Sequence, residues 1–227
     1  MTLNDYFSAY FQTYLSRDIR DLSQVADEMS FYKFMRACAS LVTGPVDYTG
    51  IAKRVGIAVN KAKEWVSVLV SSGIVTLLPP YSANTLKRVV KTPKLYFMDT
   101  GLLCYLRGIE DPQVLERIAD SGVYFENYVI SEIYKSFANV GLRPPLYYYR
   151  DANNRKEIDL LIERNGGLSP IEIKSSANPD KKATRHFDAI ASVTGESMTI
   201  GAGSVISGCE TIYPLGDNIW AVPHWLV

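Results

Sequence analysis

The spacing of apolar positions changes character along this chain, and each change marks an element. Over residues 4–28, Tyr6, Tyr10, Phe11, Tyr14 and Leu15 recur at spacings of three and four, which predicts an amphipathic helix and its exit. From Ser30 a second helix is expected through Val42, capped by the Ser30 hydroxyl, with Phe31, Phe34, Met35, Cys38 and Leu41 on its buried face. Gly44-Pro45 ends it. A short helix follows near residues 49–55, with Gly56-Ile57 as a turn. Asn60 is placed to cap a third helix to about Ser72, with Ala62, Trp65, Val66, Leu69 and Val70 inward and Gly73 as a left-handed stop. Ile74 to Leu78 reads as an apolar strand ended by Pro79-Pro80. Tyr81 to Lys94 is polar and basic, and Leu95-Tyr96-Phe97-Met98 reads as the returning strand. Helix, turn, helix and hairpin in this order predict a winged helix over residues 30–99.

Residues 1–29 then form an N-terminal helical linker and residues 100–122 a connecting segment, with a short helix over Leu102 to Leu106 after Asp99-Thr100-Gly101. The last domain spans 123–227. Phe125, Val129, Ile133 and Phe137 lie four apart, one helical stripe. Strands are expected at Leu146 to Arg150, at Glu157 to Glu163 and at Pro170 to Ser175. The Asp151-Ala152-Asn153-Asn154 turn and the Asn165-Gly166-Gly167 hairpin loop separate them. A helix over Asp180 to Val193, a short strand at Met198 to Ile200 and a last strand at Asp217 to Val222 complete the pattern. The fold class is α/β (α+β), and the order α-β-β-β-α-β resembles the core of restriction-endonuclease-like folds.

Composition narrows the class. With 227 residues and 47% apolar side chains the chain can bury a sizeable core. No apolar run reaches transmembrane length, and the N-terminus lacks the basic start of a signal peptide, so a cytoplasmic protein with no membrane partner is expected. Cys38, Cys104 and Cys209 are too far apart for a zinc spacing and odd in number, which fits a reducing compartment. The net charge of zero argues against a strong nucleic-acid binder, but the charges are segregated. Residues 31–99 hold ten basic and three acidic side chains, a local excess of +7. Lys61 and Lys63 fall early on the third helix, and Lys87, Arg88 and Lys91 fall in the expected wing. They are candidate phosphate contacts that position a module without reading sequence. A plain solvated surface explains them equally well.

The candidate chemistry lies in the last domain. Glu126 follows Phe125 on the helix, Asp159 sits in Glu157-Ile158-Asp159, and Glu172 and Lys174 sit in Glu172-Ile173-Lys174. Alternation puts Glu172 and Lys174 on one strand face, and a hairpin can bring Asp159 beside Glu172. Two carboxylates at that separation suit a hard cation such as Mg²⁺, with Asp159 and Glu172 as its ligands. A lysine beside them can orient the attacking water and offset phosphate charge. Glu157 shares the face of Asp159 as a reserve ligand. A charged strand face making ordinary salt bridges is the competing explanation. His186 and His224 have no ligand spacing, Tyr147-Tyr148-Tyr149 reads as packing, and Ser175-Ser176 as a turn.

The ordered set Glu126, Asp159 and Glu172-Ile173-Lys174 resembles the active site of the PD-(D/E)xK nuclease superfamily, which implies Glu126, Asp159, Glu172 and Lys174 as catalytic residues. Nearly the whole chain also resembles the C-terminal half of a bacterial and archaeal AAA-type ATPase group. The resemblance is carried by Tyr14 to Leu22, Leu78-Pro79-Pro80-Tyr81, Lys91 to Leu102, Phe125-Glu126-Asn127-Tyr128-Val129 and the Asp159 and Glu172 blocks. It implies a winged helix and an endonuclease-like domain that follow a P-loop domain. No G-x-x-x-x-G-K-[ST] occurs here, so no ATP binding is expected from this polypeptide, and the ATPase domain becomes a partner. The reading is a DNA-interacting module of an ATPase with a Mg²⁺-dependent, nuclease-like site, open to forming a homo-oligomer. Its alternative is a non-catalytic interaction or dimerisation module with a degenerate nuclease fold.

Overall fold

The computed structural model describes residues 3–13, 28–82, 92–153, 155–192, 194 and 198–227. Helices and a mixed sheet give the α+β class that the pattern predicts. The chain divides into two compact units. One comprises Met1–Leu77 and Leu95–Asn127, the other Leu78–Lys94 and Tyr128–Val227. No helix among the described residues is long and apolar enough to cross a membrane.

The first unit begins with α1 (Leu3–Tyr10), α2 (Glu28–Ala39), α3 (Tyr48–Val55) and α4 (Val59–Ser71). Strands β1 (Val75–Leu78) and β2 (Lys94–Phe97) pair as a small sheet, and α5 (Thr100–Leu106) and α6 (Pro112–Arg117) follow. The apolar faces meet where expected. Phe31 and Phe34 pack edge-on against Trp65 with ring centroids 5.1 and 5.2 Å apart. The Asp47 carboxylate accepts the Gly50 N–H at 2.8 Å and caps α3, and Gly56 closes it at φ 81°. Two expected starts move. α2 opens at Glu28, two residues before Ser30. Ala58 supplies the extended residue before α4, so Asn60 lies inside the helix and does not cap it. The stretch to Gly122, expected to be connecting chain, holds α6, capped by Asp111 with Pro112 in its first turn.

The long helix α7 (Ser121–Asn139) leaves the first unit at Asn127. That side chain is fully buried. Its Oδ1 accepts the Phe97 N–H at 2.8 Å, and its amide donates to the Phe97 carbonyl at 3.0 Å and to Thr100 Oγ1 at 3.1 Å. One amide thus stands in for a strand partner at the end of β2.

The second unit is built on a mixed sheet. Its strands are β3 (Leu146–Arg150), β4 (Glu157–Arg164), β5 (Gly167–Lys174), β6 (Thr199–Ile200), β7 (Gly203–Ser207), β8 (Tyr213–Gly216) and β9 (Ile219–Pro223). They run in the order β3-β4-β5-β7-β9-β8, with β6 also on β5. The first three form the expected antiparallel meander, and β7 and β9 add in parallel. The helix expected over Asp180 to Val193 is instead two 3₁₀ segments, Lys181–Thr184 and Phe187–Ser192. Its buried residues Thr184, Phe187, Ala189 and Ile190 do not follow a 3.6-residue period. Strands β7 and β8 are additions to the expected set. Val205, Ile206 and Ser207 are all buried, so β7 shows no alternation of buried and exposed positions.

Asn127→Ala would leave the N–H and C=O of Phe97 without partners in the core. Urea unfolding should show a loss of about 2–4 kcal/mol. Asn127→Asp should not restore it, because the donor to the Phe97 carbonyl is missing. A loss below about 1 kcal/mol would contradict this role.

Candidate functional site

Strands β4 and β5 are joined by Asn165-Gly166 alone, since Arg164 pairs with Gly167. Both turn residues have positive φ, 52° and 72°, the geometry of a tight hairpin turn. This turn sets the register that pairs Leu160 with Ile171. Continued by one residue, it puts Asp159 opposite Glu172. The backbone ladder does not continue there. Asp159 Oδ2 itself accepts the Ile173 N–H at 2.9 Å.

A second feature aims Asp159. Tyr149 pairs with Ile158 and Tyr147 with Leu161, so one residue of β3, Tyr148, faces two of β4, Asp159 and Leu160. This bulge breaks the alternation. Leu160 and Leu161 both bury completely, while Asp159 stays on the face of Glu157.

On that face Asp159, Glu172 and Lys174 come together, as the sequence leads one to expect. Lys174 Nζ lies 2.6 Å from Glu172 Oε1 and 3.9 Å from Asp159 Oδ2. The Glu172 side chain is only 11% exposed, and its buried Oε2 has no hydrogen-bond partner among the described residues. Burial raises the Asp159 carboxyl above its ordinary range, against the pull of Lys174 and the Ile173 N–H. Burial, reinforced by the Asp159 charge, pushes Glu172 up to about 7.

Glu157 is occupied. Its Oε1 lies 2.5 Å from Lys94 Nζ, and its Oε2 accepts from Arg150 Nε at 3.0 Å and Nη2 at 2.6 Å. Burial pushes this carboxyl up, but Lys94 and Arg150 outweigh it and hold it below its ordinary value. Lys94 is 3% exposed and lies over the Tyr148 ring at 5.3 Å. Neither cation was singled out from the sequence. Arg150 was within reach of pattern reasoning, because it pairs across the hairpin with Glu157. Lys94 gave no such signal, being the one charge of an otherwise apolar strand.

Glu126 belongs to the first unit, where it accepts the Tyr96 hydroxyl at 2.7 Å. Lys61 pairs with Glu64 at 2.8 Å and lies over the Trp65 ring at 5.7 Å. Lys63 is exposed, 6.0 Å from the Tyr48 ring centroid. Lys87, Arg88 and Lys91 lie outside the described residues. His186 sits by the backbone of Glu157, with Nδ1 3.3 Å from its nitrogen and 3.0 Å from its oxygen. His224 sits 3.3 Å from the Ser207 carbonyl. Cys38, Cys104 and Cys209 are buried thiols without disulfides. Among the described residues no three His, Cys, Asp or Glu side chains form a ready ligand set. The site offers two carboxylates, which suffices for Mg²⁺, an ion that keeps several of its waters.

Comparison with known proteins divides the chain in two. Residues 2–113 match a model described as "Domain of unknown function (DUF8612)", and residues 121–227 match "Domain of unknown function (DUF4143)". Two relatives are the uncharacterized proteins Mb2031c of Mycobacterium bovis and Rv2008c of Mycobacterium tuberculosis. Each is 27% identical over 214 residues, which cover 94% of this chain and 46% of the relative. The chain thus spans about half the length of the curated relatives it matches.

The raised Glu172 has a consequence for stability. The folded state holds its proton more tightly than the unfolded chain, where it titrates near 4.5. Its contribution is therefore most favourable below pH 4.5 and declines as pH rises through about 7. Thermal melts in chelator should show wild type losing stability between pH 5 and 8 relative to Glu172→Gln, by about 3 kcal/mol. Parallel curves for the two proteins would contradict this assignment.

Proposed function

We propose that this chain is a DNA-interacting module that serves an AAA-type ATPase and carries a Mg²⁺-dependent phosphodiesterase site of the PD-(D/E)xK kind. One observation carries the reading. Asp159, Glu172 and Lys174 converge on one sheet face, with a buried Glu172 oxygen left without a partner. A buried carboxylate oxygen without a donor is costly unless something positive completes it. Asp159 and Glu172 would hold Mg²⁺, which when bound neutralises charge on a phosphodiester and makes a water more acidic. Asp159 is preset for this by the Ile173 N–H. Lys174, with its side chain 43% exposed, is placed to steady the phosphate or the attacking water. Lys94 and Arg150 keep Glu157 out of the ligand set.

The first unit supports the DNA half of the reading. Helices α3 and α4, joined through the Gly56 turn and followed by the β1–β2 pair, suit a winged helix. Lys53, Arg54 and Lys63 are exposed on these helices. Lys61 would contribute less, since Glu64 neutralises part of its charge. The ATPase partner rests on the resemblance described above, and the greater length of the mycobacterial relatives leaves room for such a domain in them.

Cleavage of supercoiled plasmid or of a branched junction should require Mg²⁺ or Mn²⁺ and stop with chelator. Asp159→Ala and Lys174→Ala should each abolish it and leave the chain folded, at the cost in Asp159→Ala of an Ile173 N–H without its acceptor. Silence from the chain rejoined to its ATPase, with metal bound, would favour the non-catalytic interaction module. Independently, DNA affinity should fall steeply with salt. Replacing Lys61 and Lys63 together should weaken binding to all sequences alike and flatten the log–log salt slope by up to about 1.8. Salt-insensitive binding would remove the winged helix from the reading.

A further inference from the structure

Three parallel strands of the second unit bring their carboxyl ends to one end of the sheet. Lys174 of β5 pairs with Ser207 of β7, and Ser207 pairs with Pro223 of β9. Partners in a parallel ladder project on the same face, so Lys174, Ser207 and Pro223 form one row on the face that carries Glu172. Neighbouring strands lie about 4.8 Å apart, which puts the Cα atoms of Lys174 and Pro223 about 10 Å from one another. Ligands of open sheets bind outside the carboxyl ends of their strands. The row therefore extends the candidate site sideways, past Ser207, to the residues that follow Pro223.

Those residues are aromatic. Pro223 leads into the 3₁₀ turn His224–Leu226. His224 Nδ1 lies 3.3 Å from the Ser207 carbonyl oxygen, which holds the turn against the middle of the row. The His224 ring meets Tyr128 of α7 with centroids 6.1 Å apart and Trp225 with centroids 5.3 Å apart, both edge to face. These contacts fix the orientation of Trp225, yet 53% of it is open to water. A large ring held still and left exposed is a stacking surface. Its flank carries little net charge, because Glu132, one turn beyond Tyr128, is paired with Lys135. Toward β5 the row ends on Lys174 and the two carboxylates, a charged run that suits a phosphodiester strand better than an apolar protein face.

We propose that Trp225, backed by His224 and Tyr128, stacks on an unpaired base of the strand whose phosphodiester lies at Asp159 and Glu172, so that this site takes unpaired DNA in preference to intact duplex. The inference rests on the phosphodiesterase reading above and adds the class of substrate. Every base offers a π-face, so such a contact is indifferent to sequence. In a closed duplex the bases are stacked on one another, and a ring at the sheet end reaches one only after the base has left its helix. Single strands and the frayed arms of branched DNA present their bases without that cost.

Fluorescence anisotropy of the full chain with a labelled oligothymidylate and with a blunt duplex of equal length, both in chelator to prevent cleavage, tests this. Trp225→Ala should bind the oligothymidylate about tenfold more weakly than wild type and the duplex equally well. Trp225→Phe should keep most of the single-strand affinity, because a ring remains. Tryptophan emission should be quenched by the oligothymidylate in wild type and not in Trp225→Phe. Equal oligothymidylate affinity in wild type and Trp225→Ala would overturn the stacking and leave the phosphodiesterase reading standing. Equal weakening toward both DNAs would also overturn it, since that marks a structural role. So would a wild-type dimer, seen by light scattering, that Trp225→Ala converts to monomer, because the ring would then be covered by a second copy. Failure of wild type to bind either DNA would overturn the stacking together with the DNA-interacting reading.

Discussion

The register of the β4–β5 hairpin is the constraint on which the candidate site depends. A two-residue turn with both residues at positive φ closes the strands in one register, and Asn165-Gly166 supplies it. A slip by one residue would turn Asp159 away from the face of Glu172 and bury it where Leu160 now packs. The bulge at Asp159-Leu160 against Tyr148 adds the local twist that lets two successive leucines bury while Asp159 keeps its face. Strand β5 lies between β4 and β7, so its end has little room to shift. Two carboxylates held together in this way repel one another. The Ile173 N–H and the Lys174 ammonium are what the chain sets against that repulsion.

Much of this arrangement was legible in the sequence, for identifiable reasons. The β3–β4–β5 meander follows from alternation bounded by turn residues, and Asp159, Glu172 and Lys174 follow from it. The first helices were legible because Phe31, Phe34, Trp65 and Leu69 keep a strict helical period. Other parts left weaker marks. Strand β7 reads Gly-Ser-Val-Ile-Ser, with only Val205 and Ile206 apolar, and so short a pair has no period to read. The segment after Asp180 has helical composition, but Pro179 precedes it and its buried positions fall at irregular spacing, so it settles as 3₁₀ turns. Lys94 and Arg150 became visible only with the fold, because what makes them matter is the company of Glu157. Asn127 sits in a segment quoted for its neighbour Glu126. Its own role, bridging the Phe97 backbone, is a long-range contact that pattern reasoning does not reach.

The site unites two kinds of charge. Lys94, Arg150 and Glu157 form a fixed, mutually satisfied group that shapes the strand face. Asp159, Glu172 and Lys174 form a group left incomplete, with one buried oxygen unpartnered and one cation half in water. Stability alone favours apolar replacements over buried charges of this sort. The incomplete group is therefore better understood as poised for a ligand than as a device for holding the fold.

Diffraction from crystals soaked in Mn²⁺, read through the anomalous signal, tests this view most directly. The account requires an anomalous peak coordinated by the Asp159 and Glu172 carboxylates. A fully soaked crystal with no peak there would contradict it.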